Sequence, residues 1–90
     1  MGKEIVLMKS EEKKSRQEVA DFLKELADKV VEGKIVLNKG EEQLELDLPE
    51  NLVLEIKAEE EQKHERMKYS FEVELEWYPG EDEGGGISLG

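Results

Sequence analysis

The stretch YSFEVELEW, Tyr69 to Trp77, decides how this chain can fold. Tyr69, Phe71, Val73, Leu75 and Trp77 are apolar, and Ser70, Glu72, Glu74 and Glu76 between them are polar. That is the period-two pattern of a strand with one face in a core and the other in water. A slip of one residue would put three carboxylates into the core and a row of rings into solvent, so the register is tightly specified. Three of the chain's five aromatic residues lie in this stretch, which makes it the expected spine of the core.

The segments before it repeat the pattern. Leu52 to Glu59 alternates, with Leu54, Ile56 and Ala58 inward and Glu55, Lys57 and Glu59 outward. Glu60 to Arg66 has no apolar residue and reads as a solvated loop. Glu42 to Leu48 alternates as well, placing Leu44, Leu46 and Leu48 inward and Gln43, Glu45 and Asp47 outward. Pro49-Glu50-Asn51 is a turn, because proline cannot donate to a strand ladder and asparagine tolerates positive φ. Ile35-Val36-Leu37 is a short strand with both faces apolar, closed by Asn38-Lys39-Gly40 with Gly40 at positive φ.

A helix precedes these strands. Ser15-Arg16-Gln17-Glu18 has the form of a capping box, in which the serine hydroxyl accepts from the third helical N–H and the glutamate reaches back to the N–H of the cap. From Arg16 to Glu32, Val19, Phe22, Leu23, Leu26, Ala27, Val30 and Val31 form one apolar stripe, and Gly33 supplies the left-handed residue that ends the helix. Glu4 to Lys9 is expected to be another short strand, with Ile5 and Leu7 on one face and Val6 and Met8 on the other.

These elements predict an α+β fold in which one amphipathic helix packs on one face of a five-stranded, mostly antiparallel sheet, in the order β-α-β-β-β-β. The last three strands form an antiparallel meander, and the first two pair through a right-handed parallel crossover, or the first strand pairs with the last. Residues 1–78 make a single domain, and the acidic, glycine-rich residues 79–90 have too little apolar area to offset ordering entropy and are expected to be disordered.

Composition narrows the function. A net charge of −11 argues against direct nucleic-acid binding and against adsorption to anionic lipid, both of which rest on lysine and arginine. The longest uninterrupted apolar run, Ile5 to Met8, is far short of a membrane span, and no secretion leader is expected. With no cysteine there is no disulfide framework or thiol nucleophile, which suits a reducing compartment, and a soluble cytoplasmic protein is expected. Glutamate outnumbers aspartate 20 to 4 and lysine outnumbers arginine 11 to 2, a balance that leans toward a thermophilic source.

Several of these segments together resemble the amphi-Trp domain family of small prokaryotic proteins. They are Lys9 to Glu12 (KSEE), the helix start Ser15 to Val19, Gly33, the L-x-L-x-L-P strand Leu44 to Pro49, and the amphipathic strand Glu72 to Trp77. The resemblance covers roughly residues 3 to 78. It implies a compact module and carries no catalytic or binding residues over to this chain.

No catalytic constellation is legible, so the chain is expected not to be an enzyme, and no cofactor or metal is called for. His64 stands alone, with Lys68 where a zinc helix would need a second histidine. Ser10, Ser15, Ser70 and Ser88 have no neighbouring base in sequence. The glycines at 84–86 fall in the expected disordered tail, where no helix is expected to follow them and cradle phosphate. The basic cluster Lys9, Lys13, Lys14 and Arg16 could meet phosphate at the helix start, but is expected rather to neutralise the neighbouring Glu11, Glu12 and Glu18.

Two surfaces remain as candidates for a non-catalytic interaction module. If the meander forms, Glu45, Asp47, Glu55, Glu59, Glu72, Glu74 and Glu76 share one sheet face, suited to a basic protein partner or to solubility alone. If the two short strands are adjacent, Val6, Met8 and Val36 form an apolar patch suited to a protein contact, a homodimer included. The alternative function is small-molecule binding in a helix-sheet crevice near Trp77.

Overall fold

The computed structural model describes residues 2–80. They form α1 (Arg16–Glu32), β1 (Lys34–Lys39), β2 (Glu42–Asp47), β3 (Val53–Lys63) and β4 (Arg66–Glu76). The chain divides into two compact units, one ending at Leu48 and the other beginning at Pro49. The expected acidic tail lies, beyond Gly80, outside the described residues.

In the first unit the helix starts and stops where the sequence says it must. The Ser15 hydroxyl accepts the Glu18 N–H at 3.1 Å, and the Glu18 carboxylate accepts the Ser15 N–H at 3.0 Å, so both halves of the capping box are made. Gly33 ends the helix at φ 87°, and its N–H donates to the carbonyls of Lys29 and Val30 at 3.0 and 3.1 Å. The Gly33 carbonyl then accepts the Leu48 N–H at 2.8 Å, which ties the end of the following hairpin to the helix terminus.

That hairpin is β1 and β2, antiparallel, with Ile35 opposite Leu46 and Leu37 opposite Leu44. Its turn is the two residues Gly40 and Glu41, with Gly40 at φ 60°. The helix lies against β1 of this hairpin, and Phe22, Leu26, Ile35 and Leu37 line the cleft between them. Ile35 is the buried apolar residue among those described; Leu26, Val30, Leu37, Leu44 and Leu46 are half-buried around it.

The second unit is the hairpin of β3 and β4, each 11 residues long, or roughly 36 Å of strand. Its register pairs Leu54 with Leu75, Ile56 with Val73, Ala58 with Phe71, and Glu60 with Tyr69. The turn is His64-Glu65, both at positive φ (45° and 64°).

Three expectations are corrected here. The fold is α+β, but it has four strands in two two-stranded antiparallel sheets rather than five in one sheet. Glu4 to Lys9 forms no strand; residues 2–14 carry no regular structure, and the Lys39 ammonium donates to the Lys9 carbonyl at 2.7 Å. Composition reports a preference for extended backbone, whereas a strand also needs an edge to pair with. Glu60 to Arg66 is no loop but the end of the long hairpin. Residues 60–66 carry no apolar residue and so no apolar periodicity, and nothing in that stretch announced a strand.

Candidate functional site

The long hairpin separates its residues more sharply than any other element. Partners in an antiparallel register share a face, so Leu54, Leu75, Ile56, Val73, Ala58, Phe71, Tyr69 and Met67 lie together on one side, with Glu60 and Gln62 among them. The other side carries Glu55, Glu74, Glu76, Lys57, Glu72, Glu59, Ser70 and, toward the turn, Glu61, Lys68, Lys63 and Arg66. The alternation of Tyr69 to Glu76 is therefore real, but its apolar side does not lie in a core. Phe71 is 68% exposed, Tyr69 72%, Leu54 60% and Val73 56%. A two-stranded sheet has no second layer of its own to cover that side, which is the physical reason the expected burial of these rings is not found.

The apolar face is shallowly contoured. Ala58, directly opposite Phe71, leaves an open depression bounded by the Tyr69 and Phe71 rings. Leu75 and Trp77 are half-buried at the far end, where Pro49, Leu52, Val53 and Tyr78 join Trp77 around a cleft of about 290 Å³. The crevice expected between helix and sheet near Trp77 is thus replaced by one whose lining lies wholly in residues 49–78. The cleft between α1 and β1 is smaller, about 130 Å³.

The acidic face is partly neutralised at one point and not at another. Lys57 reaches Glu59 at 2.6 Å and Glu72 at 3.4 Å, and its pKa is raised above the ordinary lysine value by the hydrogen bonds to Glu59 and then Glu72. Toward the open end, oxygens of Glu55, Glu74 and Glu76 lie within 4.8 Å of one another. The Glu74 charge, followed by the hydrogen bond with Glu55, raises the Glu76 carboxyl above its ordinary value. Three carboxylates of this kind could ligate a hard divalent cation, although all three are exposed and such clusters are common on acidic surfaces.

The sequence-predicted residues separate accordingly. Glu55, Glu59, Glu72, Glu74 and Glu76 do share one face. Glu45 and Asp47 belong to the other sheet, where Lys34 pairs with them at 3.4 and 3.8 Å, so the seven carboxylates form no continuous surface of one sheet. Val36 faces the side of β1 opposite Ile35 and Leu37, across from Glu45. Val6 and Met8 lie in the segment that forms no strand, so the adjacent strands that were to join them to Val36 are not formed. Lys14 of the basic cluster pairs with Glu12 at 3.1 Å. His64 sits in the hairpin turn.

Sequence reasoning placed Leu54, Ile56, Ala58, Tyr69, Phe71 and Val73 in a core rather than on a surface. The signal for a hairpin was present in their spacing: the apolar residues of Leu54 to Ala58 and of Phe71 to Leu75 are mirror images about the His64-Glu65 bond.

Among the described residues, no helix is long and apolar enough to cross a membrane. Compared with known families, residues 1–89 match the amphi-Trp domain. Comparisons with curated proteins and with solved structures find no match.

Proposed function

The chain belongs to the amphi-Trp domain family, and from the geometry of its long hairpin we propose that it is a non-catalytic protein-interaction module. The observation that carries this reading is the row Leu54, Ile56, Tyr69, Phe71 and Val73, each more than half exposed on one face of a two-stranded sheet. Apolar side chains gathered in one row, rather than scattered singly, mark a contact surface. A hairpin by itself is marginally stable in water, so a partner that covers this face also stabilises the element that presents it. The carboxylates behind it keep the uncovered hairpin soluble and turn the apolar side toward the partner. The acidic, cysteine-free composition suits a cytoplasmic setting.

Photo-crosslinking tests the reading in living cells. A benzophenone amino acid in place of Phe71 is expected to give protein adducts, and the same group in place of Glu72, one residue away on the opposite face, is expected to give few. Equal yields at the two positions, or none at Phe71, would overturn it.

A second reading uses the cleft at the open end of the hairpin. Its volume of about 290 Å³ sits at the lower limit for small-molecule sites, and Trp77 and Tyr78 provide aromatic walls. A small ligand there would change the fluorescence of Trp77, the chain's single tryptophan. A panel of metabolites that leaves the emission unchanged at millimolar concentration removes this second reading.

A further inference from the structure

We propose that the partner of the apolar hairpin face is a second copy of this chain, stacked face to face about a two-fold axis parallel to the strands. The proposal rests on the interaction-module reading and adds to it the identity of the partner and the pairing of residues.

Area is the first support. Leu54, Ile56, Met67, Tyr69, Phe71 and Val73 at their observed exposures present on the order of 700 Å² per copy, taking roughly 200 Å² for each aromatic residue and somewhat less for each aliphatic one. Two copies would bury at most about 1,400 Å² in all, a ceiling that reaches the range of specific, stable interfaces.

The second support is self-complementarity. An axis parallel to the strands keeps each residue pair at its own level and lays β3 of one copy over β4 of the other. Each side chain then faces the residue that lies opposite it within its own hairpin. Phe71 of one copy lies over Ala58 of the other, filling the depression beside that small residue, and the same contact recurs on the other side of the axis. Val73 faces Ile56, and Leu75 faces Leu54. Tyr69 faces Glu60, so the phenol can donate to the one carboxylate on the apolar face. An axis across the strands would instead set Glu60 against Ile56 and stack Phe71 on Phe71, leaving a void between the two Ala58 residues. A helix laid on this face would leave the Glu60 carboxylate against an apolar stripe.

Charge is the third support. Each copy carries −11, which disfavours association, yet Glu55, Glu72, Glu74 and Glu76 point away from this face. Stacked sheets are separated by about 10 Å, and the carboxylate rows then lie on the two outer surfaces, beyond a Debye length from each other at physiological salt.

The test exploits the crossed contact. Ala58→Phe sets ring against ring in a homodimer, and Phe71→Ala leaves two holes. Mixed together, the two variants restore one ring-on-alanine contact and create a reversed copy of the other. Sedimentation equilibrium of the full parent chain is expected to show a dimer at micromolar concentration, with each variant alone associating at least tenfold more weakly. Native mass spectrometry of the mixture is expected to show mixed dimers in excess of the statistical share, a preference that repacking inside a single hairpin cannot produce. A statistical mixture, or a parent chain that stays monomeric to millimolar concentration, overturns the proposal. Circular dichroism of each variant identifies one that has failed to fold; Tyr69→Phe, which keeps the ring and removes the donor to Glu60, is then used in its place and is expected to weaken the dimer severalfold. No change in its dimerisation counts against the proposal. A monomeric parent chain that still gives Phe71 crosslinks to a different protein would overturn self-pairing while leaving the interaction module standing; loss of both would remove the two together.

Discussion

The carbonyl of Gly33 accepts the N–H of Leu48 at 2.8 Å, so the residue that ends α1 also holds the last residue before the second unit. Gly33 does this at φ 87°, where a side chain is strained whatever the space around it. A Cβ there would meet the Leu48 carbonyl oxygen at 3.8 Å, an ordinary contact, so backbone conformation and not crowding sets the cost. Gly33→Ala is expected to destabilise the unit by about 1–2 kcal/mol. Gly33→Asn should lose less, because asparagine tolerates the left-handed region. Urea unfolding followed by far-UV circular dichroism measures both, and equal stability of all three chains would refute the assignment.

At the other end of the same helix, Ser15→Ala removes the acceptor of the Glu18 N–H and is expected to cost about 1 kcal/mol. The box also gives the helix a pH dependence. The Ser15 backbone N–H first, then its hydroxyl and the Lys14 charge, hold the Glu18 pKa below the ordinary 4.5. A lowered value in the folded state means stability that is present above pH 4.5 and is lost as the pH falls through the folded value. Glu18→Gln is expected to flatten that part of the stability curve, and an unchanged acid limb would count against the box as its source.

The contrast between the two hairpins shows how much of this structure could be read from the chain. The helix bounds were legible to the residue, since Ser15, Glu18 and Gly33 are local signals that act through their own backbone neighbours. The positive φ of Gly40 was legible for the same reason. Which strands pair was not. Leu44, Leu46 and Leu48 alternate just as Leu54, Ile56 and Ala58 do, and alternation states that a face wants cover without naming what covers it. The residues of the acidic face were identified correctly on β3 and β4, whereas Glu45 and Asp47 were attached to them only through a strand pairing that does not occur.

Glu76 gives the opposite pH behaviour to Glu18. The Glu74 charge, before the Glu55 hydrogen bond, raises its pKa above 4.5. A raised value means that the folded hairpin holds this proton more tightly than the unfolded chain does. Its contribution is present below pH 4.5 and is lost as the pH rises through the folded value. Glu74→Gln removes the largest cause, so the Glu76 titration is expected to move down toward 4.5 and the hairpin to gain stability at neutral pH. Carboxyl-detected NMR titration of the parent and the variant reads the shift directly. A Glu76 midpoint that does not move would show that Glu74 is not its main neighbour in solution.

The last prediction concerns the turn that folds the hairpin back on itself. His64 and Glu65 are at φ 45° and 64°, and Lys63 pairs with Arg66, so two residues without glycine's freedom make the tight reversal between two 11-residue strands. Positive φ at both central positions is the geometry that favours Asn-Gly, because asparagine and glycine enter the left-handed region at little cost and other residues do not. Each present residue carries roughly 1 kcal/mol of conformational strain. His64→Asn with Glu65→Gly is therefore expected to stabilise the hairpin by about 1–2 kcal/mol, and the glycine change alone is expected to supply the larger part. Thermal unfolding monitored at the tyrosine and tryptophan signals would show the gain as a higher midpoint. Because the turn lies at the far end of the strands from Trp77, the substitution leaves the cleft and the central Ala58 and Phe71 level untouched. A double variant less stable than the parent would mean that the reversal in solution is wider than two residues.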